Sequence, residues 1–241
     1  MSVDILVSVY GAHSVVKECM DTWFPIPNGF NLYVYNNKAS DIDGTTEYLL
    51  EKQKEYNFNL IDERKNLWHP NAIHYLVKHT TSTWILHLDS DVKLKSKDKF
   101  FEWILEKTND PKYKCWGRME QSVPISNFDI KIDRDRFLDL PRAHQCVLFF
   151  NRGFYELNNL DFFGFYFEGK LKNGNLKLKN RKTLKVLDDI QIRGDTGWKI
   201  FYRSVAENCF SCIPDEIYDC FEHKNSSSVN WKIKNADKIK D

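Results

Sequence analysis

The chain predicts an α/β fold, with a Rossmann-like, mostly parallel central sheet flanked by helices. Three observations carry that expectation. Short apolar, β-branched runs recur at residues 3–9, 31–35, 58–61 and 83–88. Segments with helical spacing separate them. A polar or acidic group closes each run: Tyr10, then Asn36 and Asn37, then Asp62, then Asp89-Ser90-Asp91. Near-continuous apolar strands are typical of parallel sheets covered on both faces.

The elements follow in order. Tyr10, Gly11 and Ala12 break the first strand, and residues 13–23 have the composition of a helix. The polar stretch from Asn36 to Asp41 and the Asp43-Gly44 turn precede a helix that Thr45 or Thr46 is placed to cap, running to about Lys54. Ile73, Leu76 and Val77 give residues 71–79 a helical face. Three strand-helix units and a fourth strand imply a doubly wound sheet, whose ligands collect outside the carboxyl ends of its strands. Beyond residue 95 the pattern becomes mixed. A helix is expected at 100–106, strands at 115–119, 146–150 and 217–221, a hairpin or mobile loop over 157–182 around Asn173-Gly174, and a helix at 194–207 entered at Asp195-Thr196. No linker-like composition intervenes. The expectation is one domain, 1–241, with halves at about 1–95 and 96–241.

Composition bounds the function classes. Of 241 residues, 42% are hydrophobic and 29% charged, with 10 Gly and 7 Pro, which excludes a disordered or fibrous chain. The 15% aromatic content is enough to line a cleft as well as a core. No apolar run reaches the roughly 20 residues of a spanning helix, and no secretory leader is visible, so a cytoplasmic location is expected. A net charge of +1 says nothing about partners. Locally, residues 168–186 carry Lys170, Lys172, Lys177, Lys179, Arg181, Lys182 and Lys185 against Glu168. Such a segment is either a charge-solubilised hairpin or a contact for an acidic acceptor, a membrane surface or nucleic acid.

Asp89 and Asp91 interrupt the end of a hydrophobic strand, where unpaired carboxylates are costly to bury. A divalent cation with oxygen preference, Mn²⁺ or Mg²⁺, resolves that cost, and diphosphate oxygens and water complete its shell. Solvated strand-end loops carry such pairs too, so the motif acquires meaning from its setting.

That setting resembles the nucleotide-sugar half of GT-A fold glycosyltransferases, especially the inverting family 2 type, over residues 3–95. Val3 to Tyr10 is similar to their first strand. Tyr33-Val34-Tyr35-Asn36-Asn37-Lys38-Ala39-Ser40 with Asp43-Gly44-Thr45 is similar to the segment written Val-Asp-Asn-x-Ser-x-Asp-Gly-Thr. Asn66 to His79 resembles the asparagine-containing turn and helix beneath the sugar nucleotide, and Leu88-Asp89-Ser90-Asp91 is the closest local match. The resemblance implies a metal-dependent transfer of sugar from a nucleoside diphosphate sugar, UDP being the commonest carrier, to a glycan or other hydroxyl acceptor with inversion. It implies donor contacts at Tyr10, Asn37, Asp62, Asn71 and Asp89, with Asp91 as direct metal ligand. Asn36 and Asn37 also suit a turn built on side-chain to backbone hydrogen bonds.

By the same resemblance, Asp195 in Ile192-Arg193-Gly194-Asp195-Thr196-Gly197-Trp198 is the base that deprotonates the acceptor, and Trp198 packs under a sugar ring. Gly194 stands where a glutamate is usual, and Asp195 is equally suited to capping a helix. His223, late in the chain, is expected to complete the metal shell, with His69 and His87 near the cleft. A rival reading gives Cys209, Cys212, Cys220 and His223 to a structural Zn²⁺. Two other function classes remain open: a nucleotidyltransferase, whose glycine-rich basic loop is missing from Tyr10-Gly11-Ala12-His13, and a non-enzymatic carbohydrate- or nucleic-acid-binding module.

Overall fold

The computed structural model describes residues 2–37, 41–63, 65–120, 137–139, 142–162, 165–172, 175–180, 190–194 and 197–224. The first half alternates strictly: β1 (Val3–Val9), α1 (His13–Met20), β2 (Phe30–Asn36), α2 (Thr45–Tyr56), β3 (Asn59–Ile61), α3 (Trp68–His79) and β4 (Trp84–Leu88). The short β5 (Val92–Leu94) and α4 (Lys97–Lys107) follow. Then come β6 (Cys115–Glu120), β7 (Phe137–Asp139), β8 (Arg142–Asn151), α5 (Arg152–Leu157), β9 (Phe165–Lys172), β10 (Asn175–Asn180) and β11 (Ile190–Gly194). The last elements are α6 (Trp198–Ala206), β12 (Phe210–Cys212), α7 (Asp215–Tyr218) and β13 (Phe221–His223).

The main sheet has the order β12-β6-β8-β4-β1-β2-β3. β1 runs parallel to β2 (Val3↔Phe30 to Val9↔Asn36) and to β4 (Val3↔Trp84 to Leu6↔His87), and β2 runs parallel to β3. The chain winds from β1 out to β3, then returns on the far side of β1 to form β4. The winding therefore reverses between β1 and β4, and a crevice opens outside their carboxyl ends. β8 lies antiparallel to β4 and to β6, and β12 parallel to β6. The 96–241 half thus contributes three strands to the same sheet as the 1–95 half. Smaller sheets are β10-β9-β11-β7 and β13-β5.

Period-two alternation along β1 divides the core into two layers. Val3, Ile5, Val7 and Val9 face Val16 and Met20 of α1, Tyr48 and Leu49 of α2, and Phe100, Phe101 and Ile104 of α4. Leu6 faces the other layer, with Ala72, Ile73, Leu76 and Val77 of α3 and Ile200 and Phe201 of α6. Each such side chain contributes about 1.5–3 kcal/mol when fully buried. Helices therefore lie on both faces, as the doubly wound expectation requires.

Three local expectations need correction. Gly44, not Thr45 or Thr46, is the N-cap of α2. Its φ of +83° suits a residue without Cβ. Asp43 accepts from the Thr45 N–H and hydroxyl at 3.2 and 2.6 Å, and the Thr46 hydroxyl donates to Asp41 at 2.6 Å. α3 begins at Trp68, three residues before Asn71. The strand expected at 217–221 is instead α7 followed by β13. Pro214 stands at the N-cap with Asp215 and Glu216 in the first turn, a local helix start that outweighs the apolar content of Ile217-Tyr218.

Near the amino end of β1, Asp4 is fully buried. Thr81 N–H and Ser82 N–H donate to its Oδ2 at 3.0 and 2.8 Å; the Ser82 hydroxyl and the Asn31 amide donate to Oδ1 at 2.7 and 2.9 Å. Arg152 lies 3.8 Å away and donates to Val77 O and Ser82 O at 2.6 and 2.8 Å. This knot joins β1, β2, the α3–β4 turn and α5. Asp4→Ala, which strands those donors and the Arg152 charge, is expected to lower unfolding free energy in urea by about 3–5 kcal/mol. A loss under about 1 kcal/mol, the value of a typical surface pair, would remove the knot from any account of stability.

Candidate active site

The acidic pair emerges directly from β4. The Asp89 N–H donates to Cys146 O at 3.0 Å, extending the β4–β8 ladder by one bond. The Val92 N–H then donates to Asp89 O at 3.1 Å, closing a turn that carries Asp89, Ser90 and Asp91. β5 follows and pairs antiparallel with β13, setting His223 opposite Val92, and the Lys224 N–H donates to Asp91 O at 3.0 Å. Backbone pairing therefore delivers His223 from far along the chain to the acidic turn. Its Nε2 lies 3.1 Å from Asp91 Oδ1 and 3.7 Å from Asp89 Oδ2.

Asp89, Asp91 and His223 each offer one ligand atom, and these atoms lie within 4.8 Å of one another. Two carboxylate oxygens and one imidazole suit Mn²⁺ or Mg²⁺. Neighbouring ligands in octahedral geometry at 2.0–2.2 Å sit about 3.0 Å apart, close to the His223–Asp91 separation. All three side chains are half-buried, so a ligand can reach them. The donor set fits a hard divalent cation.

The surroundings hold this turn in place. Trp23 Nε1–H donates to Val92 O at 2.8 Å, and the Leu94 N–H donates to the Thr22 hydroxyl at 2.9 Å. Glu18 pairs with Lys93 and Lys224 at 2.9 and 3.3 Å; hydrogen bonds from those two ammoniums hold its carboxyl below the usual range. Burial, then the negative charge of Asp91, pushes the Cys19 thiol up to about 12.

Tyr10 closes the other side of the crevice. Its ring stacks on Trp68, with centroids 6.1 Å apart and planes 16° from parallel. Trp68 is 49% exposed and holds a left-handed φ of +59°. Its N–H donates to Asn66 Oδ1 at 3.1 Å, which fixes the turn. The Asn37 side-chain amide makes three hydrogen bonds within the chain. Nδ2 donates to Ser8 Oγ and Val9 O at 2.9 and 3.0 Å, and Oδ1 accepts from Leu67 N–H at 3.0 Å. Asn37 thus anchors the Trp68 turn to the end of β1. Asp62 accepts from Asn36 Nδ2 at 3.2 Å, and Asn71 is exposed on the first turns of α3.

Asp195 and Thr196 lie outside the described residues. Trp198 is the first residue of α6. Within 168–186, β9 and β10 pair antiparallel with Lys170 opposite Lys177; residues 173–174 and 181–189 lie outside the described residues.

Two histidines noted in the sequence do border the site. His69 Nε2 and His87 Nε2 each lie 3.6 Å from Asp89 Oδ1. Sequence reasoning missed His144 and Cys146, which group with His223. Their spacing of two along β8 was a signal, but only the β4–β8 pairing reveals which way it matters. It also missed Trp68, since nothing in the sequence marks a left-handed tryptophan. The cysteine alternative is not assembled: Cys209 belongs to the α3 layer and Cys220 to the α1 layer, Cys212 is exposed, and the Cys220 thiol donates to Glu216 O at 3.4 Å. Among the described residues no metal-binding group contains any of these three.

No protein-family model matches the chain, and no curated protein matches it in sequence. Solved structures do. A mannosyltransferase, PcManGT from Pyrobaculum calidifontis in complex with GDP-Man and Mn²⁺, superposes with a TM-score of 0.50 at 18% identity, over 66% of this chain and 47% of that one. The fold is of the GT-A type. Residues 1–349 of TarS from S. aureus in complex with UDP-GlcNAc give 0.47 at 14% identity, over 67% and 48%. Glucosyl-3-phosphoglycerate synthase from Mycobacterium tuberculosis in complex with Mg²⁺ and UDP gives 0.42 at 9%, over 64% and 57%. The chain thus spans about half the length of these GT-A structures. No helix among its described residues is long and apolar enough to cross a membrane.

The cysteine environments give a direct check. Of the six thiols, Cys212 alone is exposed, and Cys19, Cys115, Cys146, Cys209 and Cys220 are buried. One thiol is expected to react with a maleimide in the native protein, and all six after denaturation. Rapid labelling of Cys209 or Cys220 in the native state, read by mass spectrometry, would contradict the two-layer placement.

Proposed function

We propose that the protein is a metal-dependent glycosyltransferase that moves a sugar from a nucleoside diphosphate sugar to a hydroxyl acceptor with inversion. The observation that carries this reading is the Asp89–Asp91–His223 donor set at the winding reversal of a GT-A type sheet. The occurrence of GDP-Man and Mn²⁺ in the PcManGT complex supports it. Asp89, Asp91 and His223 would hold Mn²⁺ or Mg²⁺, which when bound neutralises charge on a departing diphosphate.

The remaining roles fall to this chain's own groups. Tyr10 and Trp68 offer stacked aromatic faces at the crevice wall, suited to a nucleobase. Asn37 and Asp62 keep the loops behind that wall in register through the hydrogen bonds above. Asp195 accepts the proton of the acceptor hydroxyl as its oxygen bonds to the anomeric carbon. The bond from that carbon to the β-phosphate oxygen breaks on the opposite face, so configuration inverts. Trp198 contacts the acceptor sugar, and the lysine-rich 168–186 segment attracts an acidic acceptor or an anionic membrane surface. UDP-sugars are the first donors to test and GDP-sugars the second.

Asp91→Asn is expected to abolish the Mn²⁺-dependent gain in UDP or GDP affinity, measured by calorimetry, while leaving the circular dichroism spectrum unchanged. Equal affinities for both proteins, with and without Mn²⁺, would sink the metal assignment. Asp195→Asn is expected to keep donor affinity and lose about 10²- to 10⁴-fold in kcat, as removal of a proton-transfer group does. A variant turning over at the wild-type rate would remove Asp195 as the base; the N-cap of α6 is Gly197. NMR of the product's anomeric configuration tests inversion separately.

A further inference from the structure

We propose that the crevice holds a second cation site, formed by His69, His87 and Asp89, that takes a Zn²⁺-type ion and shares the Asp89 carboxylate with the Asp91–His223 site. The inference goes beyond the transfer reaction and rests on side-chain placement alone. His69 projects from the first turn of α3, and His87 and Asp89 lie two apart at the end of β4, on one side of the strand path. The three ligand atoms lie within 4.8 Å of one another.

The spacing identifies the chemistry. Both imidazole Nε2 atoms stand 3.6 Å from Asp89 Oδ1. That is beyond hydrogen-bonding distance. Two ligands at 2.0–2.1 Å on a tetrahedral ion are separated by about 3.4 Å. The gap therefore matches an edge of a zinc-type tetrahedron better than a direct contact. The rings of His69 and His87 meet edge to face, with centroids 5.2 Å apart, so both nitrogens can approach one point without the rings overlapping. Two imidazoles and one carboxylate suit Zn²⁺ or Co²⁺, whereas the oxygen-rich set with Asp91 suits Mn²⁺ or Mg²⁺.

Asp89 turns Oδ1 toward these two histidines and Oδ2 toward His223. One carboxylate thereby serves both sites. A cation on the histidine side fixes the orientation of Asp89 before any nucleotide arrives. His87, fully buried beside Phe162, cannot swing away, so the histidine side of the site is preformed.

The test is titration of the full chain with Co²⁺ and with Zn²⁺, without nucleotide. Co²⁺ uptake is followed through its visible absorption, which is far stronger in tetrahedral than in octahedral sites. Wild type is expected to bind one equivalent with the tetrahedral spectrum, displaced by Zn²⁺. His69→Gln, a change on an accessible helix turn, should weaken binding at least about 10- to 100-fold, the range produced by loss of even an outer partner. Asp91→Asn should keep the spectrum. No uptake by wild type, uptake by His69→Gln equal to wild type, or loss of the band in Asp91→Asn would each overturn the proposal. A sulfur-to-cobalt charge-transfer band would do so too, because it would put the ion at His144, Cys146 and His223. Since no nucleotide or transfer assay enters, failure here leaves the glycosyltransferase reading standing, and the reverse also holds.

Discussion

A parallel sheet covered by helices on both faces has little room for polar side chains except where its strands end. In β1 every residue is buried, and Asp4, its one charged member, survives only because backbone N–H groups and Arg152 surround it. The same constraint acts at the carboxyl ends. There the strands release their polar residues together, and the reversal of winding between β1 and β4 leaves a crevice for them to line. The position of the chemistry is thus decided by packing, before any particular residue is considered. The knot at Asp4 ties the amino ends of the central strands, and their carboxyl ends are left for ligands.

Within the crevice, the decisive local feature is the register of β13 on β5. Side chains in a strand alternate, so a slip of one residue would turn His223 away from Asp91 and bring Glu222 toward it. A third carboxylate would then replace an imidazole, and the donor set would carry more negative charge than one dication offsets. The register is held by bonds on both sides of His223: the Lys224 N–H to Asp91 O, and the Lys95 and Ser96 N–H groups to Cys220 O at 2.7 and 3.1 Å. Outside the pair, Lys93 and Lys224 spend their charges on Glu18 and Glu222, which leaves the acidic turn to the histidines.

Much of the first half was legible because hydrophobic periodicity and strand-end polarity reinforce each other there. Val3–Val9, the α3 face and the Asp89-Ser90-Asp91 turn are visible as soon as apolar runs are marked. The second half was less so. β5, β12 and β13 are three residues long, too short for any period to register, and exist because neighbours hold them. Asn37 shows a subtler limit. Its sequence setting singles it out, but whether its amide faces a ligand or the chain depends on where Ser8 and Leu67 lie. His223 had a plausible role in two different metal sites, and only the separation of Cys209 and Cys220 into opposite layers distinguishes them.

The β5–β13 clasp also imposes a timetable. Closing the segment between Val92 and His223 adds little to the thermodynamic cost of the fold, because loop entropy grows only logarithmically with length. Kinetically it is another matter, since contacts so distant in sequence form late. During synthesis the β1–β4 winding can be complete, with Asp89 and Asp91 already displayed, while the strand that carries His223 has yet to be made. The early chain displays an acidic turn, and His223 joins it only when β13 pairs with β5.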